Sequence, residues 1–296
     1  MMNSVYALIM AGGEGTRFAP LSTAEKPKQF LNFIGDGTFL QQTVKRILSL
    51  VPLERVLVAT NDRYARLVQE QLPNIRAENI ILETAKKNTA PCIAYSARLI
   101  VEVDPDAVIV VLPCDHAIRH EDRFMDVIRH GVDISKKEGR IVTIGIRPTW
   151  PATCYGYIKA SGKTSKDTSG AHAVEAFVEK PDEEKAKLFI TSGHHYWNSG
   201  IFVFTARTIL EEVARHLRDM TGILKGFEPG NEFRDSFFAA AESISIDYGV
   251  MEKSNRVSVI PADLGWSDVG TWEGLYRLHR EEKVTVASNV LKIMRD

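Results

Sequence analysis

The segment Met10-Ala-Gly-Gly-Glu-Gly-Thr-Arg-Phe-Ala-Pro-Leu-Ser-Thr-Ala-Glu-Lys-Pro-Lys-Gln-Phe30 gathers groups that bind phosphate. Gly12, Gly13 and Gly15 let the backbone approach a ligand closely, and their N–H groups can point at phosphate oxygens. Arg17, Lys26 and Lys28 add positive charge in the same loop. Two familiar phosphate loops fail on spacing. A dinucleotide fingerprint needs a third glycine where Phe18 stands, which disfavours an NAD-dependent oxidoreductase. A Walker A loop needs Gly-Lys-Ser/Thr after four intervening residues, and none is present.

A second chemical feature is Asp115, which follows the most apolar run of the chain, Ala107–Leu112, and its terminator Pro113. A carboxylate at a strand end is well placed for Mg²⁺, which takes few protein ligands and draws the rest from water and phosphate. Cys114, His116 and His120 make a partial zinc set, but nothing closes a fourth ligand and no HExxH occurs. Gly265-Trp-Ser-Asp-Val-Gly270 misses a GxSxG nucleophile elbow by one residue.

These residues need elements to position them. Val5–Met10, Val56–Thr60, Ile80–Glu83, Ala107–Leu112 and Ile141–Ile146 read as buried strands. Helical patterns alternate with them: one capped by Thr38, one from Asp62 to before Pro73, one from Thr89-Pro91, and one carrying Phe124, Val127, Ile128 and Val132. That alternation predicts a parallel sheet covered on both faces. After Pro148 the rhythm changes. Tyr155–Ala160 and Ala173–Val178 read as paired strands around the polar turn Ser161–Gly170. Helices follow at about 182–191, 206–217 and 232–242, and Ile201–Thr205 and Arg256–Ile260 could rejoin the sheet. His194-His195 is expected in a loop, and Trp197, Trp266 and Trp272 as core or cleft walls.

Composition sets the outer bounds. The chain has 296 residues, enough for one large or two small domains. Thirty-seven basic against 38 acidic residues leave a net charge of −1, which argues against a nucleic-acid surface while allowing a local anion site. The three cysteines, Cys92, Cys114 and Cys154, form no CxxC pair and fit a reducing compartment. No basic leader and no apolar run of membrane length is present, so a cytoplasmic protein without a membrane partner is expected.

The string AGGEGTRFAPLS…KPKQFL resembles the signature of nucleotide-diphospho-sugar pyrophosphorylases, and its Pro27-Lys28-Gln29-Phe30 tail resembles the mannose-1-phosphate guanylyltransferase branch. The resemblance continues in order through Asn88-Thr-Ala-Pro91, Leu112-Pro-Cys-Asp-His116, Tyr155-Gly-Tyr-Ile158, Phe177-Val-Glu-Lys-Pro181, Trp197-Asn-Ser-Gly-Ile-Phe202 and Gly265–Trp272. It spans residues from about 5 to 275, and seven motifs in register make it specific.

The resemblance implies a Rossmann-like α/β fold: a mixed, mostly parallel sheet flanked by helices. It implies one catalytic unit over 1–296, with a nucleotide-binding part to about 148, a sugar-phosphate part over about 149–275 and a short tail at 276–296. The implied reaction joins GTP and mannose 1-phosphate into GDP-mannose and pyrophosphate, with Mg²⁺ or another divalent ion such as Mn²⁺. Another sugar 1-phosphate or NTP, or a non-catalytic nucleotide-sugar sensor, are the competing readings.

Arg17, Lys28 and Asp115 would be catalytic, with Asp115 and Asp268 sharing the metal. Ala11, Gly12, Gly13, Gly15, Thr16, Asn88 and Pro91 would hold the nucleotide. Gly156, Glu179, Lys180 and Asn198 would hold the sugar phosphate. Glu179 and Lys180 also read simply as a strand end entering a helix at Pro181, with acidic residues in its first turn. Cys154 departs from the family pattern, standing where glycine is usual. A homodimer is left open.

Overall fold

A computed structural model describes residues 4–164, 170–280 and 284–294. The first half follows the expected alternation. β1 (Val5–Met10) leads through the glycine loop to α1 (Phe39–Ile47), then β2 (Val56–Asn61), α2 (Ala65–Gln71) and β3 (Ile80–Glu83). Next come α3 (Thr89–Val103), β4 (Val108–Pro113), the short β5 (Ala117–Ile118), α4 (Glu121–Glu138) and β6 (Ile141–Ile146). Local chemistry sets the helix ends. Thr38 and Gln41 form a reciprocal capping box on α1, and Gly139 ends α4 in the left-handed conformation.

The second half contains β7 (Tyr157–Thr164), β8 (His172–Val178), α5 (Glu183–Ser192), β9 (His195–Thr205), α6 (Ala206–His216), α7 (Arg218–Leu224) and α8 (Asn231–Ala240). A π-helical turn at Asp247–Met251 precedes β10 (Val257–Ala262), β11 (Trp266–Ser267), α9 (Trp272–Arg280) and α10 (Ser288–Ile293). The tip of the turn expected between β7 and β8, residues 165–169, lies outside the described residues, as do 281–283 and 295–296 of the C-terminal segment.

Nine strands form one sheet in the order β3-β2-β1-β4-β9-β6-β10-β8-β7. The pairs among β1–β4 and between β6 and β10 are parallel, whereas β9 runs antiparallel between β4 and β6. β8 also runs antiparallel to β10 and β7, and β7 pairs antiparallel with β9, so the sheet is mixed: seven of its nine strands point one way, β8 and β9 run against them, and strands from both halves interleave. The reversal in strand order beside β1 opens a crevice between the carboxyl ends of β1 and β4, where ligands bind in open α/β sheets.

Two expectations need correction. β9 begins at His195, not Ile201, so His195 is no loop residue and Asn198 sits within a strand. The polar run Asn198-Ser199-Gly200 hides the strand, because Gly200 takes φ +69° and breaks the alternation. Residues 284–294 of the expected short tail pack back on the domain. Val286 and Val290 are buried with Phe18, Phe33 and Phe39, and Ile34 bridges Val286. The helix α7 and the π-helical turn carry no capping or periodic signal strong enough to read. Among the described residues no helix is long and apolar enough to cross a membrane.

Candidate functional site

The glycine loop leaves the carboxyl end of β1 and is pinned from beneath. Ala11 N–H donates to Ala59 O at 2.7 Å, and Ala11 O accepts from Thr60 Oγ1 and Gln29 Nε2, both at 3.0 Å. Gln29 Nε2 also donates to Gly13 O at 2.5 Å. The carbonyls of Ala11 and Gly13 thus turn inward to the buried Gln29 amide. The N–H and C=O of Ala11 are both hydrogen-bonded inside the protein, so its backbone anchors the loop.

Gly15 has φ +55°, and a Cβ there would lie 2.6 Å from the Lys28 backbone nitrogen. Only glycine allows the two ends of the loop this close, which is what brings Lys28 over the crevice. Arg17 lies on the short 3-10 turn Thr16–Phe18 and is exposed; the Thr16 side chain lies outside the described atoms. Lys26 is exposed too, and its backbone N–H bonds Thr23 within the loop.

Lys28 is the hub. Its Nζ lies 2.8 Å from Asp115 Oδ2 and donates to Val269 O at 3.2 Å. The side chains are 14% and 32% exposed, so the pair is partly desolvated but reachable. Burial pushes the Asp115 carboxyl up, yet Lys28 and His116 outweigh it and hold its pKa below the usual carboxylate range.

His116 lies beneath, 8% exposed, and burial lowers its pKa despite Asp115 and Asp268 nearby. Trp266 Nε1–H donates to His116 Nδ1 at 3.2 Å, so the neutral ring carries its proton on Nε2, 4.0 Å from Asp115 Oδ1. His116 therefore supports Asp115. His120 turns away, its Nδ1 facing Asp263 O, so the Cys114–His116–His120 set does not converge.

Asp268 arrives from the far end of the chain. β5 and β11 pair antiparallel with Ala117 opposite Ser267, which sets Asp268 beside the His116–Asp115 corner. Asp268 Oδ1 accepts from Tyr155 O–H at 3.1 Å and Gly270 N–H at 3.0 Å, leaving Oδ2 for a ligand. Burial and then Asp268 raise the Tyr155 phenol, so Tyr155 stays a proton donor. Arg17, Cys154, Tyr155, Asp268 and Gly270 line a cavity of about 530 Å³. Cys154 is near enough to Asp268, Lys180 and Arg17 to feel their charges; burial first, and then Asp268, raise its thiol.

Asp115 pairs with Lys28 through Oδ2, and Asp268 is bonded through Oδ1; the other oxygen of each carboxylate is the kind of donor Mg²⁺ takes while keeping most of its shell for water and phosphate. Among the described residues no group of three or more His, Cys, Asp or Glu forms a closed metal cage.

The second cluster lies at Glu179, Lys180, Gly156 and Asn198. Lys180 Nζ pairs with Glu179 Oε1 at 3.0 Å, and Lys180 adopts φ +45°, a conformation rare for a side chain of its size. The bond to Glu179 is the main reason the Lys180 ammonium is stabilised. Gly156 O accepts from Asn198 N–H at 2.8 Å, and a Cβ on Gly156 would lie 2.4 Å from Glu179 Oε2. Gly156→Ala should therefore displace the Glu179 carboxylate.

Asn88 and Pro91 open α3. Asn88 Oδ1 accepts from Thr89 N–H at 2.9 Å, so half of its amide is spent on the cap, and Pro91 is buried in the first turn.

Two site carboxylates were not legible in the sequence. Asp247 accepts from Asn198 Nδ2 at 2.8 Å. Glu83, the last residue of β3, lies under Gly12, where a Cβ would meet its Oε1 at 2.7 Å. Burial raises the Glu83 carboxyl to about 7, against a weaker lowering by the Cys92 thiol. A carboxyl raised above its unfolded value near 4.5 contributes stability below that value, and this is lost as pH rises through 7. A shift of this size corresponds to about 3 kcal/mol. Glu83→Gln should thus stabilise the protein at pH 8 and change little at pH 4, read from urea midpoints. Equal pH dependence in the two proteins would clear Glu83 of this role.

A glycine loop after β1 and a lysine-paired carboxylate after β4, flanking a switch point, define an open α/β protein with an anion-binding crevice. The model of the nucleotidyl transferase family matches residues 6–284, and the chain belongs to that family. It is 40% identical to a mannose-1-phosphate guanylyltransferase of Sinorhizobium fredii, over 99% of this chain and 58% of that protein. It is 41% identical to mannose-1-phosphate guanylyltransferase 2 of Escherichia coli O157:H7, over 94% and 61%. The chain thus spans about three fifths of the length of these curated relatives. A Thermus thermophilus structure described as a mannose-1-phosphate geranyltransferase superposes with TM-score 0.85 at 33% identity, covering 94% of this chain and 79% of that one. A UDP-glucose pyrophosphorylase structure shares the fold at TM-score 0.57 and 16% identity, covering 95% of this chain and 98% of that one.

Proposed function

We propose that this protein transfers a guanylyl group from GTP to mannose 1-phosphate, giving GDP-mannose and pyrophosphate. The observation that carries the reading is the meeting of Lys28, Asp115 and the Asp268 loop at the mouth of the glycine loop. Such a centre can hold a polyanion, and the Glu179–Lys180 cluster offers acceptors for hydroxyls and a cation for a second phosphate. The names of the relatives agree with this chemistry.

In this reading a phosphate oxygen of the sugar attacks the α-phosphorus and pyrophosphate leaves in line. No covalent intermediate forms, so the protein acts by alignment and charge. The glycine-loop N–H groups and Arg17 would bind the triphosphate, and Lys28 would face the charge that grows on the leaving group. Glu179 would accept sugar hydroxyls, Lys180 would neutralise the 1-phosphate, and Asn198 with the Gly156 backbone would fix the ring. Asn88 at the start of α3 would lie toward the base and ribose. Asp115 and Asp268 would hold Mg²⁺, which when bound supplies charge neutralisation of the phosphates.

The test is direct. Purified protein with Mg²⁺, GTP and mannose 1-phosphate should release pyrophosphate. A panel of four NTPs against several sugar 1-phosphates then reads substrate choice. Preference for another pair would move the assignment within the family, and binding of GDP-mannose without turnover on any pair would overturn it.

A further inference from the structure

Asp247 belongs to no motif that marks the site, yet it is built into the sugar-phosphate cluster. The Asn198 amide is locked in one orientation. Its Oδ1 accepts from Gly200 N–H at 3.1 Å and from Thr143 Oγ1 at 3.3 Å. A backbone N–H can only donate, so Nδ2 must point the other way, where it donates to Asp247 Oδ1 at 2.8 Å. One amide hydrogen is thereby spent on Asp247, and the second remains for a ligand.

The Asp247 segment is itself held. Ile246 N–H donates to Thr89 Oγ1 at 2.8 Å, Ala90 N–H to Ile244 O at 3.1 Å, and Ile244 N–H to Lys87 O at 3.2 Å. Ile246, Val250 and Met251 are buried around it. The first turn of α3 therefore fixes the carboxylate that fixes Asn198.

The charges facing Asp247 are Glu179 and Lys180 from the segment after β8, and Tyr248 and Glu252 from its own stretch of chain. Burial, and then Glu179, raise the Asp247 carboxyl to about 6. Two carboxylates converging beside a single lysine cost free energy in the empty site, which the Asn198 amide hydrogen only partly offsets. Ring hydroxyls, which donate to carboxylates and accept from an amide, would offset that cost.

We propose that Asp247 is a positioning residue of the sugar-phosphate pocket, aiming the free hydrogen of Asn198 and completing, with Glu179, an acceptor surface for the hydroxyls of the sugar. The inference rests on the sugar-nucleotide reading above and extends it to a residue outside the recognised motifs.

The test compares wild type with Asp247→Ala and Asp247→Asn. Asp247→Ala removes both the charge and the acceptor for Asn198, and should raise KM for mannose 1-phosphate by about tenfold with KM for GTP unchanged. Asp247→Asn keeps an acceptor for the Asn198 amide and should raise it by only about threefold. Calorimetry with GDP-mannose, whose diphosphate does not titrate between about pH 5 and 8, gives a second readout. Wild-type affinity should fall as pH drops through about 6, where Asp247 takes up a proton, and this component should vanish in both variants.

Unchanged KM for the sugar phosphate in both variants, or an equal rise for GTP and sugar phosphate, would overturn the inference. So would an unaltered pH dependence of GDP-mannose affinity. If Asp247→Ala does not fold, the Asp247→Asn kinetics and calorimetry decide. Wild-type protein that turns over no sugar phosphate at all would instead remove the underlying reading, and the inference with it.

Discussion

Replacing Lys28 by methionine is expected to lower kcat/KM for pyrophosphate release by a factor of about a hundred to a thousand. Methionine keeps much of the stem that packs against Gly15 and removes the ammonium. The lost group sits 2.8 Å from Asp115 and bonds the Val269 carbonyl, so it ties the β4 end to the Asp268 loop. Preorganised charge of this kind acts on the transition state, so the loss should appear in kcat more than in KM.

Stability gives an independent readout. Asp115 has a folded pKa below its unfolded value, so its contribution is present above about pH 4 and fades as pH falls through the folded pKa. Lys28→Met should therefore lower the urea midpoint at neutral pH, with the difference shrinking as the solution is made acid. A variant with wild-type kcat would remove Lys28 from the chemistry, whatever its stability.

Asp268→Asn should be comparably severe, through the metal. Asparagine preserves the shape and can keep the acceptor for Tyr155 O–H and Gly270 N–H, so the loop is expected to hold. The charge is lost from the oxygen left for a cation. The rate at fixed Mg²⁺ should fall by about a hundredfold or more, and half-saturation should need more Mg²⁺. Electron paramagnetic resonance of Mn²⁺ with protein and nucleotide should show weaker binding than in wild type, independent of turnover. Unchanged Mn²⁺ affinity would mean that Asp268 orients Tyr155 and does not hold a metal.

Much of this site was legible from residue type and spacing. The glycine loop, its cations, the apolar strand before Asp115 and the capping of α1 and α3 are local features, and local chemistry wrote them into short stretches of chain. Other parts were misread or missed for identifiable reasons. The anchoring of the loop through the Ala11 backbone depends on Ala59, Thr60 and Gln29, and only folding brings those neighbours to it. The start of β9 was hidden by polar residues that bond within the site and by the turn at Gly200. Glu83 and Asp247 look like ordinary acids in sequence; their perturbed environments come from burial and from charges on other elements.

Residue type and spacing carry the alternation of strand and helix, the glycine- and cation-rich make-up of the loop after β1, and the resemblance to one family. Folding alone brings side chains from distant parts of the chain to the loop after β1. Trp266 and His116 are 150 residues apart, Lys28 and Val269 are 241 apart, and neither contact follows from spacing. The physical reason is that periodicity and capping are set by neighbours along the chain. The link from Asp115 through Lys28 to the loop of Asp268, and the contact of Asp247 with Asn198, depend instead on strand order and on the β5–β11 register, which side-chain burial fixes across the whole sheet.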